Sequence, residues 1–414
     1  MDPSATVLPT ELQATLQRRF GLSTLRGLQA QVISRVLARQ DVLALMPTGA
    51  GKSLCYQLPC CLRPGLMVVI SPLLALMRDQ LQRLTQVGIP ARALTGRLNA
   101  QAMRQLSLEL QNHRWRVLLL SPERALKGDV AALLSHPACS ARVDLLVVDE
   151  AHCIAEWGPA FRPAFAALGN LRARFPAASV LALTASADLA TRRTILEVLQ
   201  INGNQVLETS FNRPELYYRV HVSPSPWRHA LAYLRTWHPL DSAIFYCRRR
   251  AETMHVAALL RAVGVPAVPY HAGQGAQQRR AAEQWFMQRA DGVMVATIAF
   301  GMGIDKPDVR LVVHAGRPVS LPSYYQETGR AGRDGQRATA LLLLALHDVH
   351  PESGGQEQEH LQTFLQGKCC RRRSLLAGLA QQLEEPCTAC DDCNPDWHPV
   401  PALASHRLLW VPAQ

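Results

Sequence analysis

Two doubly wound α/β domains in tandem, followed by a small cysteine-bearing helical module, are the fold this 414-residue sequence predicts. Three observations carry that expectation. Short β-branched or leucine-rich runs alternate with amphipathic stretches; the rhythm breaks once and restarts; and five of the 11 cysteines gather after it ends. Continuous apolar runs of this length are the signature of parallel strands buried on both faces, and the helical stretches between them supply the crossovers. The domains are expected at 1–207 and 208–346, with a linker, the cysteine module and a short tail at 347–414.

The first domain should take strands from DVLAL (41–45), LMVVI (66–70), RVLLL (116–120), DLLVVDE (144–150) and SVLALT (179–184). The second should take them from AIFYC (243–247), GVMVAT (292–297) and VRLVVHAG (309–316). The break between them is INGNQVLETSFNRPEL (201–216), rich in Gly, Asn and Pro. HDVHPESGGQEQEH (347–360) reads as a polar linker. No internal repeat or long low-complexity tract interrupts this pattern.

Composition narrows the function classes. Apolar residues make up 48% of the chain, enough for real cores. A formal charge of +12 favours an acidic polymer as partner, although basicity alone is common. No apolar run reaches the ~18 residues of a spanning helix, and the first residues carry neither a basic nor an apolar signal region. Cys55, Cys139, Cys153 and Cys247 lie singly in apolar segments, where cysteine acts as a small buried hydrophobe. A soluble, reduced, cytoplasmic protein without a membrane partner is therefore expected.

The first chemical site is MPTGAGKS (46–53), directly after a predicted strand. Gly49 and Gly51, with Thr48 and Ala50 between and before them, let backbone amides curl around a phosphate with no Cβ in the way. Lys52 would reach the β/γ-phosphates, Ser53 would ligate Mg²⁺, and the following helix adds its positive end. Met46 stands where the strict pattern has Gly. A chance glycine loop is the bland alternative, and the flanking strand and helix weigh against it.

Asp149 and Glu150 end the apolar run 144–150. An Asp-Glu pair is ordinarily just solvated; at the end of a buried strand downstream of a phosphate loop, Asp149 would hold Mg²⁺ and Glu150 would orient and deprotonate the attacking water. Farther on, YYQETGRAGRDG (324–335) places Arg330 and Arg333 in what would otherwise be a basic surface run. In a two-domain nucleotide hydrolase they reach across the cleft as arginine fingers, worth roughly 10³–10⁵ in rate.

This set of motifs resembles the superfamily 2 helicases, and within them the RecQ family of DNA helicases. FGLSTLRGLQ (20–29) is similar to that family's adenine-reading segment, which implies Arg26 and Gln29 as base contacts. SPLLALMRDQ (71–80) is similar to its first DNA-contacting motif, which implies Ser71 and Pro72. SPERAL (121–126) and LALTASA (181–187) match two more. AIFYCRRR, YHAG (270–273) and VATIAFGMGIDKPDVR (295–310) continue in the family's order, implying His271 and Thr297 at DNA and Asp305 at the nucleotide. The resemblance also implies catalytic roles for His152 and Gln326. It covers roughly 20–395, and implies two RecA-like domains with a zinc-binding helical appendix.

The same resemblance interprets the late cysteines. Cys387, Cys390 and Cys393 form C-x₂-C-x₂-C, a spacing that favours a tetrahedral Zn²⁺ site over a disulfide or a redox pair. The fourth ligand stands open between Cys369 and Cys370 from spacing alone; the family's Cys-Arg-Arg pattern implies Cys370. Arg371 to Arg373 read as phosphate contacts or as a solvated helix face. Family members usually continue into a winged helix, whereas here only 396–414 follows. The resemblance therefore implies single-strand translocation without assured processive unwinding, unless the chain is a truncated form.

After DEAHC comes AEWGPAFRPAF (155–165), with three aromatic rings in a chain that is only 6% aromatic. The resemblance implies a loop that senses single-stranded DNA through Trp157, Phe161, Arg162 and Phe165; the alternative is a packed loop. The family's His-Asp is here Pro159-Ala160, which implies a motor whose hydrolysis is loosely tied to unwinding. What the resemblance implies as a whole is ATP-dependent 3′-to-5′ movement on DNA, serving repair or recombination. It further implies ATP, Mg²⁺ and Zn²⁺ as cofactors and DNA with a single-stranded 3′ tail as substrate. A monomer acting with single-strand-binding or repair proteins at the nucleoid or in the nucleus is expected. Two rivals are an ATP-driven RNA remodeller, separable by DNA- against RNA-stimulated hydrolysis, and a non-enzymatic binding protein, against which Lys52, Asp149 and Arg333 argue.

Overall fold

The computed structural model describes residues 10–396 except 48, 73, 97, 127, 137–138, 140–141, 157–162, 186, 299, 301–305, 350–355 and 368. The chain divides into two compact units, Met1–Ser210 and Phe211–Gln414.

In the first unit, strands β1 (Val42–Leu45), β2 (Leu66–Ile70), β3 (Ala91–Leu94), β4 (Val117–Leu120), β5 (Val143–Val148), β6 (Ser179–Thr184) and β7 (Val206–Glu208) form one sheet. Its order is β3-β4-β2-β5-β6-β1-β7 and every pairing is parallel. The four strands β1, β2, β4 and β5 are buried at every position, so no alternation appears in their sequences. Val32, Ile33 and Val36 of the helix Gln29–Leu37 pack with Leu58 of the helix Leu54–Leu62 against Val69 and Leu145. Each such side chain contributes about 1.5–3 kcal/mol when fully buried.

The second unit carries β8 (Leu216–Val222), β9 (Ser242–Tyr246), β10 (Ala267–Tyr270), β11 (Val293–Ala296), β12 (Val309–Ala315) and β13 (Ala338–Leu344), all parallel, in the order β10-β11-β9-β12-β13-β8. Its core joins Ala230 and Leu234 to Phe245, Val295 and Leu341. No described helix is long and apolar enough to cross a membrane.

Two expectations change. The linker expected over 347–360 ends in structure: Leu346–Val349 is a 3₁₀ turn, and residues from 356 on belong to the helix Gln356–Gln366. Of the arginines expected at phosphates or in water, Arg371 and Arg372 are instead buried, while Arg373 is exposed. Arg371 pairs with Asp391 and Asp392 at 3.0 and 3.1 Å, and Arg372 sits over the Tyr218 ring at 5.5 Å. The reason is chain economy at a sheet edge. Residues 389–391 lie along β8 through Tyr218 N–H to Ala389 O (3.3 Å) and Asp391 N–H to Tyr218 O (3.1 Å), and the two arginines fasten that addition.

Candidate functional site

In parallel α/β sheets ligands gather beyond the carboxyl ends of the strands. The order β2-β5-β6-β1 brings the ends of four strands side by side there in the first unit. Main-chain bonds hold the loops in register: Met46 N–H donates to Thr184 O (3.0 Å), Ala151 N–H to Leu183 O (2.8 Å) and Asp149 N–H to Ile70 O (2.9 Å).

The loop after β1 takes the shape its glycines permit. Gly49 and Gly51 have φ of +84° and +71°, a region that L side chains rarely adopt. A Cβ on Gly51 would also stand 2.5 Å from Gln29 Nε2. Among the described residues the amides of Gly51, Lys52 and Ser53 donate to no backbone carbonyl, so they stand available to an anion. Thr48 lies outside the described residues. Gln29 Nε2 donates to Ala50 O at 2.9 Å, while its Oε1 accepts from Arg26 N–H at 2.8 Å. Gln29 is thus buried against the loop and Arg26 is exposed. Among the described residues the Lys52 ammonium donates to Met46 O, at 3.4 Å. Ser53 Oγ accepts from Gln80 Nε2 at 2.8 Å, and Gln80 Oε1 in turn accepts from Tyr56 and Gln57, both at 2.9 Å. Sequence reasoning quoted Gln80 within a DNA motif and missed that it braces Ser53.

Asp149 is buried just past β5. Burial pushes its carboxyl up to about 7, the Glu150 charge adds to that, and Lys52 opposes it. A buried carboxylate in this state has a strong demand for a cation, which fits the residues to Mg²⁺. Glu150 takes φ of +50°, a left-handed turn that is uncommon outside glycine and that carries the chain out of the strand into the helix Cys153–Glu156. His152 is buried with Nδ1 3.1 Å from Thr184 Oγ1 and 3.5 Å from Glu150 Oε2, so it joins the carboxylate turn to the end of β6.

The expected nucleic-acid residues divide. Ser71 and Pro72 follow β2 and are both buried; the Ser71 hydroxyl has no hydrogen-bond partner among the described residues. His271 and Thr297 follow the paired strands β10 and β11, half-buried, with Thr297 N–H on Tyr270 O at 3.2 Å. His271 Nδ1 is likewise unpartnered among the described residues. Phe165 corrects an expectation: it is 0% exposed in the short helix Pro163–Ala166, so its ring packs and offers no face for a base to stack on. Trp157, Phe161, Arg162 and Asp305 lie outside the described residues.

In the second unit Gln326 is half-buried on the helix Leu321–Thr328, and Arg330 and Arg333 follow it. Arg330 is 8% exposed, and its Nε has no hydrogen-bond partner among the described residues. A buried guanidinium with a spare donor suits an incoming anion.

The sulfurs of Cys370, Cys387, Cys390 and Cys393 all lie within 4.8 Å of one another. Cys370 and Cys390 are 3.9 Å apart, against about 3.8 Å between sulfurs bound tetrahedrally to zinc. Hydrogen bonds from Cys370 and Cys387 pull the Cys390 thiol far down, and the bond to Cys387 pushes Cys370 up. Cys369 is exposed with its sulfur 3.0 Å from Ser374 Oγ, outside this group. Geometry therefore selects Cys370.

Comparison with known proteins agrees with this geometry. Residues 26–195 match the DEAD/DEAH box helicase family and residues 228–335 the helicase conserved C-terminal domain. The chain is 39% identical over 388 residues to the ATP-dependent DNA helicase RecQ of Pasteurella multocida, covering 90% of this chain and 61% of that protein. It is 38% identical over 355 residues to the ATP-dependent DNA helicase RecQ of Synechocystis, covering 84% and 73%. It is 42% identical over 348 residues to the RecQ-like DNA helicase BLM of Xenopus laevis, covering 82% and 25%. The chain thus spans about three-fifths of the length of the Pasteurella relative. In fold alone it is similar to S. cerevisiae Dbp5 bound to RNA and ADP BeF3 (TM-score 0.65, 16% identity, 87% of this chain and 91% of that one). A second such structure is the DEAD-box helicase Mss116 bound to ssRNA and UDP-BeF (TM-score 0.67, 17% identity, 92% and 82%). With 38% identity across 73% of the Synechocystis protein and both helicase domains matched in order, the chain belongs to the RecQ family.

Proposed function

We propose that the chain is an ATP-driven DNA motor of RecQ type, moving 3′ to 5′ on single-stranded DNA and separating duplexes ahead of it. The observation that carries this reading is the buried Asp149 carboxyl, poised near pH 7 beside Lys52 and next to a glycine loop with unengaged amides. In the proposed cycle those amides and Lys52 hold the phosphates, and Arg26 and Gln29 turn to the base. Bound Mg²⁺ would neutralise phosphate charge and would be held by Ser53 and Asp149. Glu150, steadied by His152, takes the proton of the attacking water. Arg330 and Arg333 would offset the negative charge that develops on the γ-phosphate, with Gln326 on the helix that precedes them. Family membership and +12 net charge support DNA as the track.

Zinc is the ion we assign to Cys370, Cys387, Cys390 and Cys393, with a structural role. The loop 155–165 is assigned to sensing single strands through Trp157 and its neighbours, with loose coupling attributed to Pro159-Ala160. The chain would act as a monomer wherever the cell keeps its DNA, in repair or recombination.

The test is ATP hydrolysis with matched single-stranded DNA and RNA oligomers. Strong stimulation by DNA and little by RNA is expected. Equal or greater stimulation by RNA would favour an RNA remodeller, and no hydrolysis with either would leave a binding protein.

A further inference from the structure

We propose that Arg213 is the positioning residue for the arginine-bearing loop 329–333, and that Arg372 fastens Arg213 to the cysteine cluster. The inference rests on the reading that Arg330 and Arg333 act in hydrolysis.

The loop needs such a brace. It leaves the helix Leu321–Thr328 through tight turns, with Gly332 at φ +63° and so close to Gln336 O that a Cβ would stand 2.9 Å away. Turns of this kind leave carbonyls without intrahelical partners. Three carbonyls of the loop converge on one side chain: Arg213 donates to Gly329 O (3.3 Å), Ala331 O (3.0 Å) and Gly332 O (3.3 Å), the last of which also accepts from Gly335 N–H (3.0 Å). These carbonyls bracket Arg330. The Arg213 guanidinium is itself buried, and its Nε is bonded to the Glu215 carboxylate. A planar fork of five fixed donors meets this geometry, and a lysine ammonium does not.

The backbone beneath Arg213 is held from the other side. Arg372, 3% exposed, donates through Nη1 to Asn212 Oδ1 (2.5 Å) and to Arg213 O (2.6 Å), and through Nη2 to Leu216 O (2.5 Å) and Ala389 O (3.4 Å). It stands two residues after Cys370, and Ala389 directly precedes Cys390. The charge-assisted bonds of Arg372, tied by chain adjacency to Cys370 and Cys390, therefore lead to the backbone of Arg213 and, through Arg213, to the loop. Their function is to make the order of the catalytic loop depend on a filled metal site.

The experiment uses the 414-residue chain and its Arg213→Lys, Arg372→Lys, Arg330→Ala and Arg333→Ala variants. It reads kcat and KM for ATP with saturating single-stranded DNA, metal content, and amide hydrogen exchange over 329–335. Arg213→Lys should lower kcat by roughly 10- to 100-fold, the range for a misplaced catalytic group, with KM changed less than about twofold. Exchange should rise over 329–335 while β9 and β12 stay protected and metal is retained. Arg372→Lys, and removal of the metal from the parent, should raise exchange over the same residues. If Arg330→Ala is inactive while Arg213→Lys has parental kcat and parental exchange, the inference is overturned and the functional reading stands. Exchange rising across the whole second unit would overturn it too, since Arg213 would then only hold the fold. Parental rates in both Arg330→Ala and Arg333→Ala would overturn the functional reading and this inference with it.

Discussion

The two units share one wiring diagram and differ in what they place on it. With β7 set aside and the strands of each unit counted from its first, both sheets run 3-4-2-5-6-1. In the first unit, the loop that follows the first strand is 46–53, with two glycines in left-handed geometry and, among the described residues, no backbone acceptor for the amides of 51–53. In the second unit the loop at the same place, after β8, is Ser-Pro-Ser-Pro (223–226). Prolines have no amide hydrogen to give, and no glycine opens the turn. The crevice survives there, about 600 Å³ lined by Trp227, Arg248 and Asp348 among others. After the fifth strand the first unit has Asp149 and Glu150, whereas the second has Gly316 and Arg317. Topology thus supplies a crevice twice, and side chains decide that only one can hold a phosphate chain. The second unit instead presents cations on a braced loop.

The largest effect should come from breaking the first unit's cradle. Lys52→Ala should bring ATP turnover to background in a steady-state assay while single-stranded DNA binding persists, because most of the positive charge lies elsewhere. Breaking the second unit's contribution comes next. Arg330→Ala should lower kcat by roughly 10³-fold with ATP binding retained, which separates a charge supplied in the transition state from a charge that binds substrate.

Smaller is the effect of the metal-bearing edge of the second unit. Metal analysis should find about one zinc per chain, and Cys390→Ser should lose it and lower the melting temperature of that unit. The first unit should melt as before.

The smallest effect is acid lability confined to the second unit. Burial lowers His229 from 6.5 to about 4, and the adjacent His221 and Arg219 add to that; His221 also feels Asp391. The His229 and His221 rings stack at 4.2 Å. A depressed folded value means that this histidine favours the fold above about 6.5 and withdraws that support as pH falls toward about 4. His229→Gln should therefore flatten the fall in melting temperature across that window, measured against the parent.

Strands were legible where burial is continuous, and four of the five missed ones lie where it is not. Runs such as 66–70 and 179–184 coincide with β2 and β6 because every position is buried and nearly every side chain is apolar. Four of the missed strands, β3, β7, β8 and β10, are sheet edges. Edges are half-solvated and tolerate residues that argue against a strand, such as Arg92 in β3 and Pro269 in β10. The fifth, β13, is fully buried, but ATALLLL is Ala and Leu at every position but Thr339, and those two favour helix as strongly as any residue. At the site, motif spacing was enough to find the glycine loop, the carboxylates and the cysteines. It did not find Gln80 or Arg213, since their roles lie in bonds to backbone and to other polar groups that only the folded chain brings together. Arg372 was misread for the same reason: a basic run looks alike whether it faces water or staples three backbone carbonyls.

The account's central claim is tested most directly by ATP-dependent strand displacement on a short DNA duplex carrying either a 3′ or a 5′ single-stranded tail. The chain should separate the 3′-tailed duplex, leave the 5′-tailed one intact, and do neither once Lys52→Ala is introduced. Displacement of the 5′-tailed duplex in preference, or displacement that survives Lys52→Ala, would contradict it.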